Sequence, residues 1–495
     1  MLRMREVLHK AFVHGRKKRG WSILLPGFFL LVILAVWVIR SDGFYGGGDS
    51  IAHYRIARYA FRYPHLFLDH WGKPLFTLLS APFAQLGFNG MRLYNVMAGW
   101  LAAWLALLAS REVGARHVWL APLLVVTAPE YFALFFSTLT EITFSLVLVW
   151  AVWLALQARY AWAAVVVSFL PFVRTEGFVI VLVMLVGLLR YRSYRSLPWL
   201  ITGFVVYSLA GWPYYGDPFW VISQMPYHGA ADIYGHGSVL HFILHAPRIF
   251  GIPMIVLWLA GATVLIASLR DPRRRGMAER EVWFVVFPAL TYFAAHTFVW
   301  WRGLGSSLGL LRVMAGIVPL LAVTAVRGYD AFTALLPPRK KVLSVIVGGL
   351  TVLLLMIPPF HYHKVPMQED ETQRLLSEAA RWVERSPYSD RLVFYYDLYF
   401  LFRLDRDPFD PSSCRERVPD PEHPAEGVPP GSLLQWDAHY GPNEGHLPLQ
   451  RLLHDPHYSL LKVFRPDKPF KVLGGYDYAI CLFLRKEDVQ EGTKP

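Results

Sequence analysis

Long apolar blocks without a charged residue limit what this chain can fold into. Residues 21–39 and 249–269 each lack any charge and are long enough to cross a hydrocarbon core of about 30 Å as a helix. Further apolar blocks lie at 93–110, 118–135, 142–158, 160–173, 177–190, 198–215, 282–301, 303–326 and 342–359. The sequence therefore predicts an all-α polytopic membrane protein with about eleven transmembrane helices.

The charges divide the chain into two parts with different locations. Residues 1–359 carry 32 Lys or Arg against 14 Asp or Glu, whereas residues 360–495 carry 17 against 22. The basic excess lies in short connections between blocks, which is typical of cytoplasmic loops rather than of a nucleic-acid-binding surface. A basic N-terminus (1–20) and an odd number of spans place residues 361–495 on the outer side. We expect a bacterial inner membrane with this C-terminal domain in the periplasm, and membrane lipids around the spans.

The C-terminal domain, residues 361–495, has the pattern of a small soluble α/β domain. Residues 368–387 have helical periodicity, and several short apolar runs after them are typical of strands. The two cysteines of the chain, Cys414 and Cys481, both lie here. A periplasm would permit a disulfide between them, and two unrelated buried thiols are the alternative.

The membrane part, residues 21–360, has two long outer connections. The first, residues 41–90, begins with the glycine-rich SDGFYGGGD and then predicts short juxtamembrane helices. Arginines recur along one of these helices, as expected of an amphipathic helix that lies at the membrane surface; they are Arg55, Arg58 and Arg62. The second, residues 213–248, is rich in aromatic residues, His and Gly.

The second connection offers the only metal ligands that the sequence suggests. A divalent ion could be held there by one acid and three histidines; they are Asp232, His236, His241 and His245. Loop histidines without a common scaffold usually bind no metal, so no cofactor is certain.

Acidic residues are costly in an apolar chain and therefore indicate functional positions. Eight acids of the membrane part fall on the predicted outer side; they are Asp42, Asp49, Asp69, Glu130, Glu141, Glu176, Asp217 and Asp232. Those on the cytoplasmic side, such as Glu281, are expected to be solvated. Glu141 and Glu176 border apolar blocks, and Arg174 and Arg312 lie at a similar depth. We expect a polar cavity open to the outer side, with structural ion pairing between helices as the alternative.

Several short motifs follow one another in an order that points to a known family. In chain order they are Asp49 with His53-Tyr54, the stretch HWGKPL at 70–75, RLYN at 92–95, Thr140-Glu141, RTEG at 174–177, and Leu311-Arg312 before Pro319. This order resembles the GT-C superfamily of membrane glycosyltransferases, most closely the branch of protein O-mannosyltransferases and the lipid A aminoarabinose transferase. The resemblance covers about residues 45–330, and the C-terminal domain is an added module.

The resemblance implies an inverting transfer of a sugar from a polyprenyl-phosphate donor to a glycan, lipid or protein acceptor on the outer face. It implies that Asp49 is the general base and that Lys73 and Arg312 bind the donor phosphate. Further substrate-binding candidates are His53, Tyr54, Glu141, Arg174 and Glu176. Ser50 stands where the branch often has a second acid, which leaves the role of a second carboxylate open.

Each of these assignments has an alternative. Asp49 could cap the helix that follows it, Lys73 could extend its ammonium group to lipid headgroups, and Arg312 could pair with a buried acid. The alternative function is a transporter or lipid flippase that uses the cavity acids for coupling, although the span pattern shows no two-fold repeat. A third interpretation gives the activity to the C-terminal domain, for which about eleven spans would be an excessive anchor.

Overall fold

The membrane part of the chain is helical. The computed structural model describes residues 29–225, 235–305, 307–337 and 341–487, so the predicted cytoplasmic segment 1–20 and Asp232 lie outside the described residues. Five helices are long and apolar enough to cross a membrane; they are Phe88–Glu112, Ile252–Arg270, Arg275–Arg302, Leu311–Ala334 and Val342–Tyr362. Five shorter apolar helices accompany them; they are Phe29–Ile39, Pro74–Ala84, Glu141–Leu156, Tyr160–Phe172 and Gly177–Arg190.

These helices confirm an integral, mostly helical membrane protein, whereas the number of spans, their sidedness and the host membrane stay predictions. Short helical segments complete the membrane part; they are Gly47–Tyr59, Pro64–Leu68, Leu120–Thr127, Pro129–Leu134, Tyr194–Ile201, Thr202–Tyr215, Trp220–Ser223, His241–Leu244 and Ala246–Phe250.

The predicted span 118–135 is broken inside the apolar block. Ala128 has extended backbone angles between the helices Leu120–Thr127 and Pro129–Leu134, because the residue before a proline is disfavoured in the α-helical region. Glu130 follows this break and is fully buried.

Glycines let two long helices pack closely. A Cβ atom on Gly261 would overlap the backbone of Thr324, and one on Gly328 would overlap the backbone of Leu257. The helices Ile252–Arg270 and Val318–Ala334 can therefore approach through small residues, as is common in membranes.

One expected surface charge is in fact buried. Glu281 is fully buried and pairs with the guanidinium of Arg327, and Thr324 Oγ1 donates to Glu281 Oε1 at 3.4 Å. The expectation that Glu281 is solvated is therefore wrong. A carboxylate removed from water needs such a partner, and the short sequence pattern around Glu281 could not show Arg327 beside it.

The first outer connection contains the predicted short helices, and two of its arginines contact the C-terminal domain. Arg55 is buried and donates from Nη2 to the Tyr395 hydroxyl of the C-terminal domain at 2.8 Å. Arg62 pairs with Asp407 of the same domain at 2.8 Å. The helix Gly47–Tyr59 therefore contacts the C-terminal domain through two of its predicted surface arginines, and its position at the membrane surface stays a prediction.

The C-terminal domain is built on one five-stranded sheet in the order β2-β1-β3-β5-β4. Its strands are β1 Val393–Tyr395, β2 Cys414–Glu416, β3 Leu433–Asp437, β4 Tyr458–Phe464 and β5 Ile480–Arg485. Strand β1 is parallel to β2 and β3, whereas β5 is antiparallel to β3 and β4. The helices of the domain are Glu371–Glu384, Leu398–Arg403 and Leu449–His454. The small C-terminal sheet domain is as predicted, and its exact limits stay a prediction.

Backbone contacts attach this domain to the start of the first connection. The Gly43 amide donates to the Met367 carbonyl at 3.1 Å, and the Met367 amide donates to Ser41 Oγ at 2.8 Å. Gln373 Nε2 donates to the Phe44 carbonyl at 3.0 Å. The segment that leads into the helix Gly47–Tyr59 is therefore fixed by the C-terminal domain.

The predicted disulfide is not formed. Cys414 and Cys481 are both free and buried; Cys414 begins the edge strand β2 and Cys481 lies in β5, with β1 and β3 between them. Strands are spaced about 4.8 Å apart, so the two Cα atoms are much farther apart than the roughly 7 Å limit for a disulfide. The prediction is wrong because the sequence does not give the strand order.

A thiol titration tests this placement. Denatured, unreduced protein is expected to react with two equivalents of a thiol reagent, because neither sulfur is oxidised in the fold. The Cys414→Ser variant should give one equivalent under the same conditions. A count of zero for the parent protein would contradict the strand order described here.

Candidate active site

Asp49 lies in the first turn of the helix Gly47–Tyr59, directly after the glycine run. Gly46 and Gly47 have positive φ angles of 97° and 56°, which glycine adopts without the strain that a Cβ atom would cause. The Asp49 carboxylate is 46% exposed, the most accessible acid of the cluster described here, and it pairs with the Arg312 guanidinium. The N-cap position of this helix is Gly46, and Asp49 is the acid of its first turn, so Asp49 is not the capping residue.

Arg312 connects Asp49 to a second, buried carboxylate. It belongs to the 3₁₀ segment Leu311–Ile317, and its Nη1 also donates to the Gly46 carbonyl at 3.4 Å. Its Nε lies 3.3 Å from Glu141 Oε1. One guanidinium therefore holds both the accessible acid and the buried acid.

Glu141 is the first residue of the helix Glu141–Leu156 and is 1% exposed. The same Oε1 that faces Arg312 lies 2.8 Å from Arg174 Nη1. Two cations thus share one buried oxygen, and loss of the acid would leave Arg312 with Asp49 alone and Arg174 with Glu176 alone.

Arg174 continues the chain of charges toward Glu176. Arg174 Nη1 donates to Thr140 Oγ1 at 3.1 Å, and its Nη2 lies 2.8 Å from Glu176 Oε1. The same Glu176 oxygen lies 3.5 Å from Nε2 of His296 in the helix Phe287–Arg302. We call the series Asp49, Arg312, Glu141, Arg174 and Glu176 the charge relay; the name refers to a continuous line of ion pairs and not to a transfer of charge.

Lys73 reaches the same region from the first connection. It precedes the helix Pro74–Ala84 with φ at 64°, a conformation that a side-chain-bearing residue rarely adopts and that is often found at functional sites. Its Nζ donates to Thr175 Oγ1 at 3.3 Å, between Arg174 and Glu176 in sequence. The fold therefore brings a third cation to the end of the charge relay.

The remaining two candidates of the sequence lie outside the charge relay. The His53 ring stacks on Trp71 with centroids 4.6 Å apart and meets Phe76 edge-on at 5.4 Å. Tyr54 points toward the C-terminal domain, because its ring packs against Phe88 and against Phe402 of that domain. Tyr54 therefore joins the two domains rather than contributing to the cluster of charges.

A second polar group, which the sequence did not predict, lies beside the relay. The Tyr45 hydroxyl donates to Glu130 Oε2 at 2.5 Å, and Arg248 Nε lies 3.5 Å from Glu130 Oε1. The sequence places Glu130 among the outward acids and predicts no partner for it. The sequence signal that could have indicated a special position is Pro129, because a proline inside an apolar block predicts a new helix start and Glu130 follows it directly.

The C-terminal domain contributes a residue beside Asp49. A Cβ atom on Gly48 would lie 2.5 Å from the Tyr440 hydroxyl, so this phenol covers the residue next to the accessible acid. The negative charge of Asp49 is among the causes that, after burial and Asp397, raise the pKa of Tyr440. More than three hundred residues separate Tyr440 from Asp49, and nothing local in the sequence indicated the contact.

The predicted metal ligands do not form a site in the described part of the chain. His241 Nε2 lies 2.8 Å from the Gly309 carbonyl, and His245 Nδ1 lies 2.8 Å from the His241 carbonyl, so both rings are engaged by backbone. His236 is exposed. Among the described residues, ligand atoms within 4.8 Å of one another occur at Asp420, His423 and Glu426 of the C-terminal domain. Exposed acidic groups of this kind are common without a metal, and a metal dependence stays a prediction.

The arrangement combines an accessible carboxylate with fixed cations. A carboxylate can accept a proton from a hydroxyl group, and guanidinium and ammonium groups stabilise a phosphate that gains charge. Glu141, Arg174 and Arg312 are mostly buried, which strengthens the interactions among their charges, whereas Asp49 stays accessible to an acceptor.

Comparison with known proteins identifies the fold. No protein-family model and no curated protein matches the sequence. The structure is similar to ArnT from Cupriavidus metallidurans bound to undecaprenyl phosphate, with 15% identity and a TM-score of 0.57 over 96% of this chain and 99% of that chain. It is also similar to the Archaeoglobus fulgidus oligosaccharyltransferase in complex with Zn and sulfate, with 14% identity and a TM-score of 0.51 over 76% of this chain and 61% of that chain. The predicted resemblance to the GT-C superfamily is confirmed at the level of the fold.

Proposed function

We propose that this chain is an inverting glycosyltransferase that moves a sugar from a polyprenyl-phosphate donor to an acceptor on the outer side of the membrane. The observation that carries the proposal is the charge relay, in which the accessible Asp49 carboxylate is held by Arg312 at one end of a buried series of ion pairs. Lys73 adds a cation at the other end. The fold shared with membrane glycosyltransferases supports this interpretation.

Asp49 is the proposed general base. It takes the proton of the acceptor hydroxyl as the acceptor oxygen forms a bond to the anomeric carbon. The bond between that carbon and the phosphate oxygen breaks, and its electron pair leaves with the polyprenyl phosphate. Attack from the face opposite the leaving group inverts the anomeric centre, and Asp49 ends the step as a carboxylic acid.

Lys73 and Arg312 are the proposed cations for the leaving phosphate. The phosphate gains negative charge as the bond breaks, and a fixed guanidinium and ammonium group stabilise that charge without reorganisation. Arg312 has a further part in the proposal, since a donor phosphate would compete with Asp49 for the guanidinium. Binding of the donor would then release Asp49 to act as a base.

The donor class is proposed from the membrane location and from one similar structure. ArnT was solved with undecaprenyl phosphate bound, and we extend that ligand class to this chain. Such a donor would reach the site by diffusion within the bilayer, past helices that are exposed to lipid.

A density map of the protein with a polyprenyl phosphate tests the proposal. Lipid phosphate within contact distance of Lys73 and Arg312, beside Asp49, is the expected result. A cavity that opens to the opposite side of the membrane when ligand is added would contradict it and would favour a transporter. Release of polyprenyl phosphate from a sugar-loaded donor, measured in lipid nanodiscs, gives the matching activity.

The Lys73→Gln variant is expected to raise the apparent KM for the donor. Loss of one hydrogen bond from a charged donor costs about 1.5–3 kcal/mol, or about tenfold to hundredfold in affinity. Burial lowers the pKa of the Lys73 ammonium group to about 8, so the cation is present below that pH and is lost above it. The apparent KM of the parent protein should therefore rise as the pH exceeds about 8.

Two controls separate the charge of Lys73 from other effects. Lys73→Arg keeps a cation at all accessible pH values, so the rise of KM above the lysine pKa should disappear. Lys364→Gln removes an exposed lysine outside the cluster and should leave KM unchanged. An unaltered KM in Lys73→Gln would show that this side chain does not bind the donor.

A further inference from the structure

An open cavity lies between two turns of the membrane part, away from the charge relay. Its volume is about 420 Å³. The residues of its wall that carry polar side-chain atoms or aromatic rings are Arg159, Tyr160, Trp162, Ser193 and Ser196. The first turn follows the helix Glu141–Leu156, and the second follows the helix Gly177–Arg190. The fold therefore brings the ends of two membrane helices together around one cavity.

Both of these helices begin at the charge relay. The helix Glu141–Leu156 starts with an acid of the relay, and the helix Gly177–Arg190 directly follows Glu176. Helices of 16 and 14 residues rise about 24 and 21 Å, which is more than half of a hydrocarbon core of about 30 Å. The cavity is therefore separate from the proposed active site, and we expect it at the opposite boundary of the bilayer.

One cation in the wall of the cavity has no partner in the protein. Arg159 is exposed, and among the described residues its guanidinium forms no ion pair and no hydrogen bond. The residues that line the cavity include no carboxylate among those that the structure describes. Two further exposed arginines lie on either side of Ser193 in the sequence; they are Arg192 and Arg195. The cavity is therefore positively charged and attracts anions.

Two hydroxyl groups complete the polar part of the cavity. Ser193 Oγ and Ser196 Oγ lie 2.9 Å apart, and Ser196 is 5% exposed. The bond between them uses one of their two hydroxyl hydrogens, so the pair keeps one O–H donor for a further partner. A guanidinium group beside a hydroxyl donor is well suited to the oxygens of a phosphate.

The surroundings of the cavity are those of a lipid headgroup region. Exposed aromatic side chains, which are typical of the level of the headgroups, lie in the same two turns and the segment after them; they are Trp162, Tyr194 and Trp199. Exposed aliphatic side chains recur every three or four residues along the helix that ends at the second turn; they are Leu182, Val186 and Leu189. A lipid whose headgroup enters the cavity can therefore keep its acyl chains against apolar helices.

We propose that this cavity binds the phosphate headgroup of an anionic glycerophospholipid from the membrane leaflet opposite the charge relay. Arg159 binds the phosphate oxygens, and the pair Ser193 and Ser196 donates to them. A zwitterionic headgroup fits less well, because its ammonium group would lie among Arg159, Arg192 and Arg195. Basic pockets between membrane helices bind anionic headgroups in the same way. The proposal does not depend on the proposed glycosyltransferase function.

Native mass spectrometry of the full chain in detergent micelles tests the lipid site, because it counts bound lipids without the surface potential of a bilayer. The probes are dioleoyl phosphatidylglycerol and dioleoyl phosphatidylcholine at micromolar concentration. One phosphatidylglycerol molecule should bind at least about fivefold more tightly than phosphatidylcholine, the effect of one basic residue on an anionic lipid. Arg159→Gln should weaken phosphatidylglycerol binding about tenfold or more, the effect of one hydrogen bond to a charged group. Arg159→Lys keeps the charge without the paired donors and should give a smaller loss.

Arg273→Gln is the matched control for the loss of charge. Arg273 is exposed and lines a second cavity of about 480 Å³, whose wall also contains Leu156 and the carboxylate of Glu112. The same charge is thus removed at the same end of the helices, and phosphatidylglycerol binding should be unchanged. Without added lipid, the melting temperatures of the parent and of both glutamine variants should agree, because both arginines are exposed. Misfolding would then not account for a loss in Arg159→Gln.

Three results with the lipid probes would overturn the site. They are equal binding of the two lipids, full retention of phosphatidylglycerol by Arg159→Gln, and an equal loss in Arg273→Gln. A soluble phosphate is the other source of the same chemistry, and glycerol phosphate at millimolar concentration is expected to leave the melting temperature unchanged. A rise that Arg159→Gln abolishes would assign the cavity to a soluble ligand and refute the lipid proposal. None of these measurements uses a sugar donor, so failure of the proposed function would leave them unaltered.

Discussion

The Asp49→Asn variant is expected to lose sugar transfer by a factor of about 10²–10⁴, the usual contribution of a general base. Asparagine has nearly the same shape and keeps an oxygen that can accept from Arg312, but it cannot take the proton of the acceptor hydroxyl. Transfer is measured as release of polyprenyl phosphate in nanodiscs, with the donor at saturation. Donor binding should be retained, since Lys73 and Arg312 are unchanged.

Stability should change little in this variant. The Asp49 carboxylate is about half exposed, and an ion pair at such a position contributes about 0–1 kcal/mol. Asp42→Asn is the matched control, because Asp42 is an exposed acid of the same connection and has no place in the charge relay. It should transfer sugar at the parent rate. Activity of Asp49→Asn close to that of Asp42→Asn would exclude Asp49 as the base.

The cluster of charges could be predicted from the sequence because of where its members lie. Glu141 and Glu176 begin helices next to apolar blocks, and Arg174 and Arg312 occur at the same depth. Charged side chains at that depth cannot be solvated fully, so we expect them to form ion pairs with one another. The sequence indicated which residues would meet, but the order of contacts, with one Glu141 oxygen between two arginines, depends on helix packing.

Contacts between distant segments could not be predicted in this way. His53 and Tyr54 are neighbours in one motif, yet a helix turns by about 100° per residue, so their side chains pack in different places, and neither joins the ion pairs of the charge relay. The arginine stripe suggested a membrane surface because the pattern shows a polar face without showing its partner. The partner is the C-terminal domain, which receives Arg55 and Arg62.

The C-terminal domain could be predicted as a domain but not as a part of the site. Alternating apolar runs indicated strands, while the strand order, and hence the separation of the two cysteines, depends on long-range pairing. Tyr440 beside Gly48 is such a long-range contact. It changes the interpretation of the domain from an added module to a wall of the proposed active site.

The Glu141→Gln variant is expected to destabilise the whole membrane part. It removes the one negative charge that faces Arg312 Nε at 3.3 Å and Arg174 Nη1 at 2.8 Å, and both guanidinium groups are mostly buried. Breaking a buried ion pair by removal of one partner costs about 3–5 kcal/mol. Because Arg312 keeps Asp49 and Arg174 keeps Glu176, we expect the lower end of that range, about 3 kcal/mol, which is still a large share of an ordinary stability of about 5–15 kcal/mol. The free energy of unfolding, measured by denaturant titration in mixed micelles, should fall by that amount.

Glu279→Gln is a closely matched control for this prediction. Glu279 is also shared by two arginines, with Arg190 at 3.3 Å and Arg275 at 2.8 Å, but both arginines are exposed. Its replacement should cost less than about 1 kcal/mol, as for other surface pairs. The two variants remove the same group from the same kind of pairing, so the difference between them measures the effect of burial. Equal losses in both would show that the ion pairs of Glu141 are open to solvent, and the case for preorganised, buried cations beside Asp49 would then fail.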